Sequence, residues 1–238
     1  MTATDTTLRA ADAVFVAEQA VGRARRVVEE LQTTVTSALR VLDDAELDSA
    51  KARLTDRGDF YLEAASEHLG RLQTRCNDMP ELTRELFGHL NHASESLNEA
   101  RGFLDLADPS DPVVAGDLAQ LKPRIAVVGE MIALAKPVAQ LAAQHVDSAR
   151  RASQDVTPPA LLEPVTLDRS IRTAGKELGR ADEDVRLLGD VVDHAATSAR
   201  QSAAIAAAIS DNAHRRMSEH GRDPDASAAA PATGSPAR

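Results

Sequence analysis

The chain has few of the residues from which β-sheets and compact enzyme cores are usually built. Aromatic residues make up 2% of its 238 residues, with no Trp, one Tyr and four Phe. Hydrophobic residues nevertheless reach 43%, and Ala and Leu, both strong helix formers, are abundant. This composition favours an all-α protein, and the length is sufficient to bury a core.

Three further absences narrow the compartment and the covalent chemistry. Cys76 is the single cysteine, so one chain can form neither a disulfide nor a Cys-based metal site. Residues 1–14 lack the cationic start and apolar stretch of a signal peptide. No uncharged apolar run reaches the roughly 18 residues of a membrane span, and the nearest, residues 125–135, contains Glu130. We therefore expect a cytoplasmic protein without a transmembrane segment, although secretion by a signal-peptide-independent route stays open.

The charge balance argues against nucleic acid as a partner. The net charge is -10, whereas phosphate binding needs a concentrated cationic face. The densest basic cluster, Arg23, Arg25 and Arg26, is followed by Glu29 and Glu30, which can pair with it on one helix. Lys occurs at only four positions, against many Arg, as is typical of GC-rich bacterial coding sequences.

Apolar residues recur at alternating spacings of three and four, the a/d pattern of helices that pack as coiled coils. We call each such row an apolar stripe. The first stripe predicts a helix that ends at Asp43 and Asp44, followed by a tight hairpin, because Asp43 and Glu46 have capping-box spacing. Its members are Val14, Ala17, Val21, Ala24, Val28, Leu31, Val35, Ala38 and Leu42.

The second predicted helix has a stripe that changes frame near Arg57-Gly58-Asp59. Glycine lowers helix propensity, so we expect a kink there. The triplet matches an integrin-recognition motif, which we interpret as coincidence inside a predicted helix. The stripe reads Leu47, Ala50 and Leu54, then Leu62, Ala65, Leu69, Leu72 and Cys76, with Cys76 as a small core residue.

The third and fourth helices are separated by a proline-rich turn at residues 108–112. The third restarts at Asp78 as N-cap, with Pro80 in its first turn, and has Leu86, Leu90, Ala93, Leu97, Ala100, Leu104 and Ala107 in its stripe. The fourth, residues 113–153, holds Pro123 and Pro137 at outer positions, so we predict a continuous helix; a new helix starting at Pro123 is the alternative. Its stripe is Leu118, Leu121, Ile125, Val128, Ile132, Ala135, Ala139, Ala142, Val146 and Ala149.

The fifth stripe is the longest, and small residues fill its second half, so we expect another helix to cover it. Its members are Ile171, Ala174, Leu178, Ala181, Val185, Leu188, Val192, Ala195, Ala199, Ser202, Ala206, Ile209 and Ala213. The sequence thus predicts an elongated antiparallel bundle of about five long helices. It divides into a four-helix bundle (1–153), a Pro-rich connection (154–166), a fifth helix packing on the bundle or on another copy (167–217) and a disordered tail (218–238).

Chemistry-bearing patterns are sparse, and we predict no catalytic, cofactor-binding or metal-binding residue. The chain lacks a Gly-x-Ser-x-Gly elbow, a phosphate-binding loop, a His-Glu-x-x-His motif and the Glu-x-x-His pairs of diiron bundles. Glu85, His89, His92 and Glu95 could place two or three ligands on one helix face, but a solvated polar face is favoured. His194 follows an acidic residue, as phosphorylatable bundle histidines do, yet no nucleotide-binding domain follows it.

The patterns favour a non-enzymatic structural or adaptor protein that self-associates or binds partner helices. As an alternative, residues 8–76 resemble in outline the helical hairpin of type VII secretion substrates. They lack the Trp-x-Gly turn, and Tyr61 is followed four positions later by Ala65 rather than an acid. A metal-binding bundle built on the third helix is a remote third reading.

Overall fold

The computed structural model describes residues 3–106, 112–154 and 164–220, which form helices and contain no strand. The helices are α1 (Ala3–Leu54), α2 (Gly58–Asn77), α3 (Met79–Leu106), α4 (Pro112–Gln154) and α5 (Pro164–His220). The predicted all-α bundle is confirmed. The helices are long because each has a continuous apolar stripe on its buried side and polar residues on its exposed side.

The five helices form four antiparallel arms, since α2 and α3 follow one another along the same side of α1. The most extensive contacts join α1 to α2 and α3, α4 to α5, and α5 back to α1, with α4 also lying against α2 and α3. Each arm therefore touches two neighbours and scarcely meets the arm opposite. This is the arrangement of an up-down-up-down four-helix bundle.

The α2–α3 junction does not shift the pairing with α1. Lys51 lies over the ring of Tyr61 in α2, and Arg9 lies over the ring of Phe103 in α3. In both pairs the residue numbers add to the same total, as one unbroken antiparallel pairing requires. Asp78 itself has helical backbone angles, φ -77 and ψ -22, so α2 and α3 behave as one arm with an interruption of a single residue.

The hairpin predicted at Asp43 and Asp44 is wrong, because α1 continues through them to Leu54. The reason is that Ala45 and Ser49, both buried, prolong the first stripe with the same spacing, while Asp43 and Asp44 lie on the exposed side of the helix. Acidic residues on a solvated face do not end a helix whose other face is packed.

The turn lies instead at residues 55–57, so Arg57-Gly58-Asp59 spans the end of this turn and the start of α2 rather than a helix interior. Leu47, Ala50 and Leu54, predicted members of the second stripe, are exposed. From Leu62 onward the predicted residues are buried or packed against the core. The predicted change of frame therefore marks the boundary between two helices.

The remaining stripes are confirmed wherever the structure describes their residues. Every predicted stripe position of α4 and α5 is buried, as are those of α3 from Leu86 to Leu104, whereas Ala107 lies outside the described residues. Pro123 and Pro137 lie inside an unbroken α4, as predicted, on its exposed side. Their missing amide hydrogen bonds are therefore lost at the solvent side of the helix.

The small residues of α5 are covered within the chain. The Ala-rich second half of α5 packs against α1 and α4, and residues 10–24 of α1 are themselves rich in buried Ala. Residues 155–163, most of the predicted connection, lie outside the described residues. So does the predicted tail from residue 221 onward, while α5 extends to His220.

Candidate protein-interaction surface

An apolar row faces solvent along α4, beside the buried stripe of the same helix. It alternates spacings of four and three, as the buried stripe does. Val127, Leu134 and Leu141 are exposed, and Met131 and Val138 are partly buried between them. Across the α4–α5 groove, Leu187 is 51% exposed, and Val191 and Ile205 are partly buried. We call this area, from Gln120 to His145 on α4 with the facing side of α5, the α4–α5 surface.

The α4–α5 surface is also poor in charge. Between Arg124 and His145 the solvent-facing side of α4 carries one acid, Glu130, in a chain whose Asp and Glu number 37. The segment Ala115–Gln154 is long and apolar enough to cross a membrane, yet core helices of bundles meet the same criterion. Only 33% of its most apolar window is buried, so the rest of the chain leaves much of this helix uncovered.

Polar contacts mark the two ends of the α4–α5 surface. At one end the Arg124 guanidinium donates to Oε1 of Gln201 at 2.7 Å. At the other, Nδ1 of His145 lies 2.7 Å from Oε2 of Glu177, and Nε2 lies 3.7 Å from Oδ2 of Asp184. The hydrogen bond with His145 lowers the pKa of Glu177, against a smaller opposing effect of burial. These contacts join α4 to α5 and leave the apolar row between them free of polar partners.

A second carboxylate joins α1 to α5 on the far side of α5 from α4. Ser49 donates to Oδ1 of Asp168 at 2.6 Å, and the Arg53 guanidinium pairs with Oδ2. Burial raises the pKa of Asp168, but the hydrogen bonds from Ser49 and Arg53 outweigh it and hold the pKa below its ordinary value of 3.8. The positive Arg53 also lies in the last turn of α1, where a cation stabilises the helix dipole. The cluster holds α1 and α5 in a fixed register.

The residues considered for a metal on the third helix do not gather into a ligand set. Nε2 of His89 lies 3.4 Å from Oε1 of Glu85, while His92 and Glu95 are exposed on α3. Among residues 3–106, 112–154 and 164–220, no group of three or more His, Cys, Asp or Glu is placed to hold a metal ion. The arrangement is that of a solvated helix face on which His89 contacts Glu85.

Cys76 is buried, as expected of a core residue, and burial raises the pKa of its thiol to about 11 although Arg150 opposes the shift. It lines a pocket of about 350 Å³ between α2, α3 and α4, with Met79, Val146 and Arg150 among its neighbours. Arg150 is engaged by Asp147 at 2.6 Å. A protonated thiol is a poor nucleophile, so this pocket offers no reactive group.

His194 is exposed on α5, and the adjacent Asp193 pairs with Nε of Arg25 at 2.6 Å. That ion pair bridges α5 to α1, and it commits the acid beside His194 to a structural contact. A groove of about 750 Å³ lies between α1 and the α2–α3 junction and is lined mainly by charged and polar residues such as Arg26, Glu29 and Glu81. Neither place brings together a nucleophile, a base and an orienting group.

The sequence patterns predicted the buried stripes but not this exposed row on α4. The signal was present in the sequence, because each residue of the row stands one position before a buried residue and repeats with a/d spacing. The row is Val127, Met131, Leu134, Val138 and Leu141. No protein-family model, curated protein sequence or solved structure matches the chain.

Proposed function

We propose that the chain is a non-enzymatic structural or adaptor protein of the bacterial cytoplasm that acts through helix–helix contacts, and that the α4–α5 surface is where it binds protein. The observation that carries the proposal is the exposed apolar row on α4. Exposed leucines are ordinary when they are single. A row with heptad spacing, continued by Leu187 and Val191 across a groove, is typical of a helix-binding surface.

The chemistry of the described residues supports a binding role rather than a catalytic one. Their ionisable groups with shifted pKa values, Cys76, Asp147, Asp168 and Glu177, either lie in the core or join neighbouring side chains. The α4–α5 surface itself is an exposed apolar row beside a groove, which suits a partner helix that has an apolar stripe.

Photo-crosslinking in cells tests the proposal directly. A benzoylphenylalanine placed at Leu134 or Leu187 should form a covalent adduct with a protein. The matched control is Leu47, which is as exposed as Leu134, 55% against 53%, but lies on α1. Adducts from Leu134 and Leu187 without one from Leu47 support the proposal, whereas no adduct from either surface position would overturn it.

The alternative is a secreted helical protein of the type VII kind. The observation in its favour is the antiparallel hairpin that α1 and α2 form around the turn at residues 55–57. Fractionation of culture medium separates the two proposals, because finding the protein only inside cells removes the alternative.

A further inference from the structure

We propose that the partner on the α4–α5 surface is a second copy of this chain, docked face to face about a two-fold axis beside Leu134. The inference rests on the proposed function, because it names the occupant of the same surface. Three observations carry it: the size of the surface, the symmetry of its apolar row and the placement of charge at its ends.

The surface is large enough for a stable homodimer. From Gln120 to His145, α4 rises about 38 Å at about 1.5 Å per residue. Two packed helices with axes about 9 Å apart present a face about 20 Å wide. The footprint is therefore on the order of 750 Å² per copy, against about 800 Å² in an interface of standard size.

The apolar row is complementary to itself when two copies of α4 run antiparallel. Leu134 lies at the middle of the row, so a two-fold axis there places it against Leu134 of the second copy. The same rotation places Val127 opposite Leu141 and brings Met131 within one residue of Val138, so that each contact pairs apolar side chains. On α5, which packs beside α4, Val191 lies at about the same height along the bundle as Leu134. An isologous interface requires this kind of self-complementarity.

Charge at the two ends of the surface fits the same rotation. Arg124 lies at one end, and the carboxylates of Glu177 and Asp184 lie at the other, around His145, where Arg180 also donates to Oε1 of Glu177 at 3.1 Å. Because the second copy runs the opposite way, Arg124 of each copy comes next to the carboxylate pair of the other. Opposite charges at the rim favour this antiparallel arrangement over a parallel one, which would place like charges together.

Segments of the same chain do not suit the surface. Residues 221–238 contain no apolar residue larger than Ala and Pro, so they cannot fill the groove beside Leu134. Residues 155–163 include Val156, Leu161 and Leu162. Because this nine-residue segment is attached at both ends, to Gln154 and Pro164, it can extend at most about 18 Å from them. Leu134 lies about 30 Å along α4 from Gln154.

The test is the molar mass of the full chain over a concentration series up to about 200 μM, measured by sedimentation equilibrium. We expect a dimer of the 25.3 kDa chain, and a dissociation constant raised at least about 100-fold by Leu134→Glu but unchanged by Leu47→Glu. Circular dichroism of both variants verifies that the bundle remains folded. A monomeric wild type, or equal weakening by both substitutions, would overturn the proposal.

Cysteine crosslinking tests the register of the two copies. In Leu134→Cys the new thiol should lie against the same thiol of the second chain and form an intermolecular disulfide on mild oxidation. Leu47→Cys should form no such disulfide, and Cys76 is buried and stays reduced. A dimer that persists without this crosslink means that the copies meet elsewhere, and the proposal fails.

A photo-adduct of Leu134 with a different protein, or binding to phosphatidylglycerol vesicles that Leu134→Glu abolishes in a monomeric chain, also overturns the proposal of a second copy. The different-protein adduct leaves the proposed adaptor function standing, whereas the absence of any adduct removes both.

Discussion

The two ends of the bundle are held together by different means. We call the end that contains Asp48, Asp168 and Glu177 the carboxylate-linked end. There, acidic side chains bridge neighbouring helices from largely buried positions, since Asp168 is 13% exposed and Glu177 15%. At the opposite, alanine-rich end, residues 10–24 of α1 face residues 195–213 of α5. There the ion pair of Lys122 with Asp105 is 44% and 72% exposed.

The difference shows where specificity of helix register comes from. Exposed ion pairs contribute little, so the alanine-rich end depends on close packing, with bulk supplied by α3 and α4 through residues such as Leu104, Leu121 and Ile125. At the carboxylate-linked end, a slip of α5 along α1 would separate Ser49 and Arg53 from Asp168. Ser49 and Arg53 therefore tie the register of α1 and α5 to Asp168 at the carboxylate-linked end, and at the alanine-rich end the side chains of α3 and α4 fill the core beside the small residues of α1 and α5.

The largest effect should come from removing bulk at the alanine-rich end. Leu104→Ala should lower the free energy of unfolding by about 2–5 kcal/mol, since small residues across the core cannot move in to fill the cavity. Leu104 is fully buried, whereas Leu106, two residues on, is 70% exposed. Urea denaturation of Leu104→Ala and the control Leu106→Ala measures the difference. Equal effects of the two substitutions would mean that Leu104 does not supply this bulk.

A smaller loss is expected at the carboxylate-linked end. Asp168→Ala removes the acceptor of the buried Ser49 hydroxyl and should cost about 1–3 kcal/mol, because an unsatisfied buried group loses its hydration without replacement. Ser49→Ala in the same background should restore part of that loss. A double-mutant cycle in urea measures the coupling; strictly additive losses would show that the hydrogen bond contributes no register energy.

The same carboxylate predicts an acid dependence of stability. The pKa of Asp168 in the folded chain lies below its ordinary value of 3.8, so the folded state binds fewer protons and is favoured as pH rises. The stabilisation is present above that ordinary value and is lost as pH falls through the lower, folded pKa. The urea midpoint of wild type should therefore fall more steeply below about pH 4 than that of Asp168→Asn. The comparison isolates Asp168, since Asp147 and Glu177 titrate in both proteins. Parallel curves would contradict the assignment.

How much of this contrast the sequence predicted depends on whether a feature is local or long-range. The buried stripes were predictable residue by residue, because helix periodicity is local. The error at Asp43 arose because capping-box spacing was given more weight than the continuing stripe. Ala45 and Ser49 continue the first stripe with the same spacing and are buried. The link of Ser49 to Asp168 was not predictable, since the two residues are 119 positions apart in the sequence. Their contact depends on how α1 and α5 align, which no local pattern determines.

The smallest effect concerns glycines of α5 near the carboxylate-linked end, where two positions four residues apart form a matched pair. A Cβ added at Gly179 meets nothing within 4 Å, whereas one added at Gly175 lies 3.0 Å from Cδ2 of Leu42 in α1. Ala is favoured over Gly in a helix interior by about 0.5–1 kcal/mol. Gly179→Ala should therefore raise the free energy of unfolding by that amount, and Gly175→Ala should gain less or lose stability as Leu42 is displaced. Thermal unfolding followed by circular dichroism distinguishes the two. Equal stabilisation by both would mean that α1 and α5 pack less closely at Leu42 than the carboxylate-fixed register requires, and would confine close approach of these helices to their alanine-rich halves.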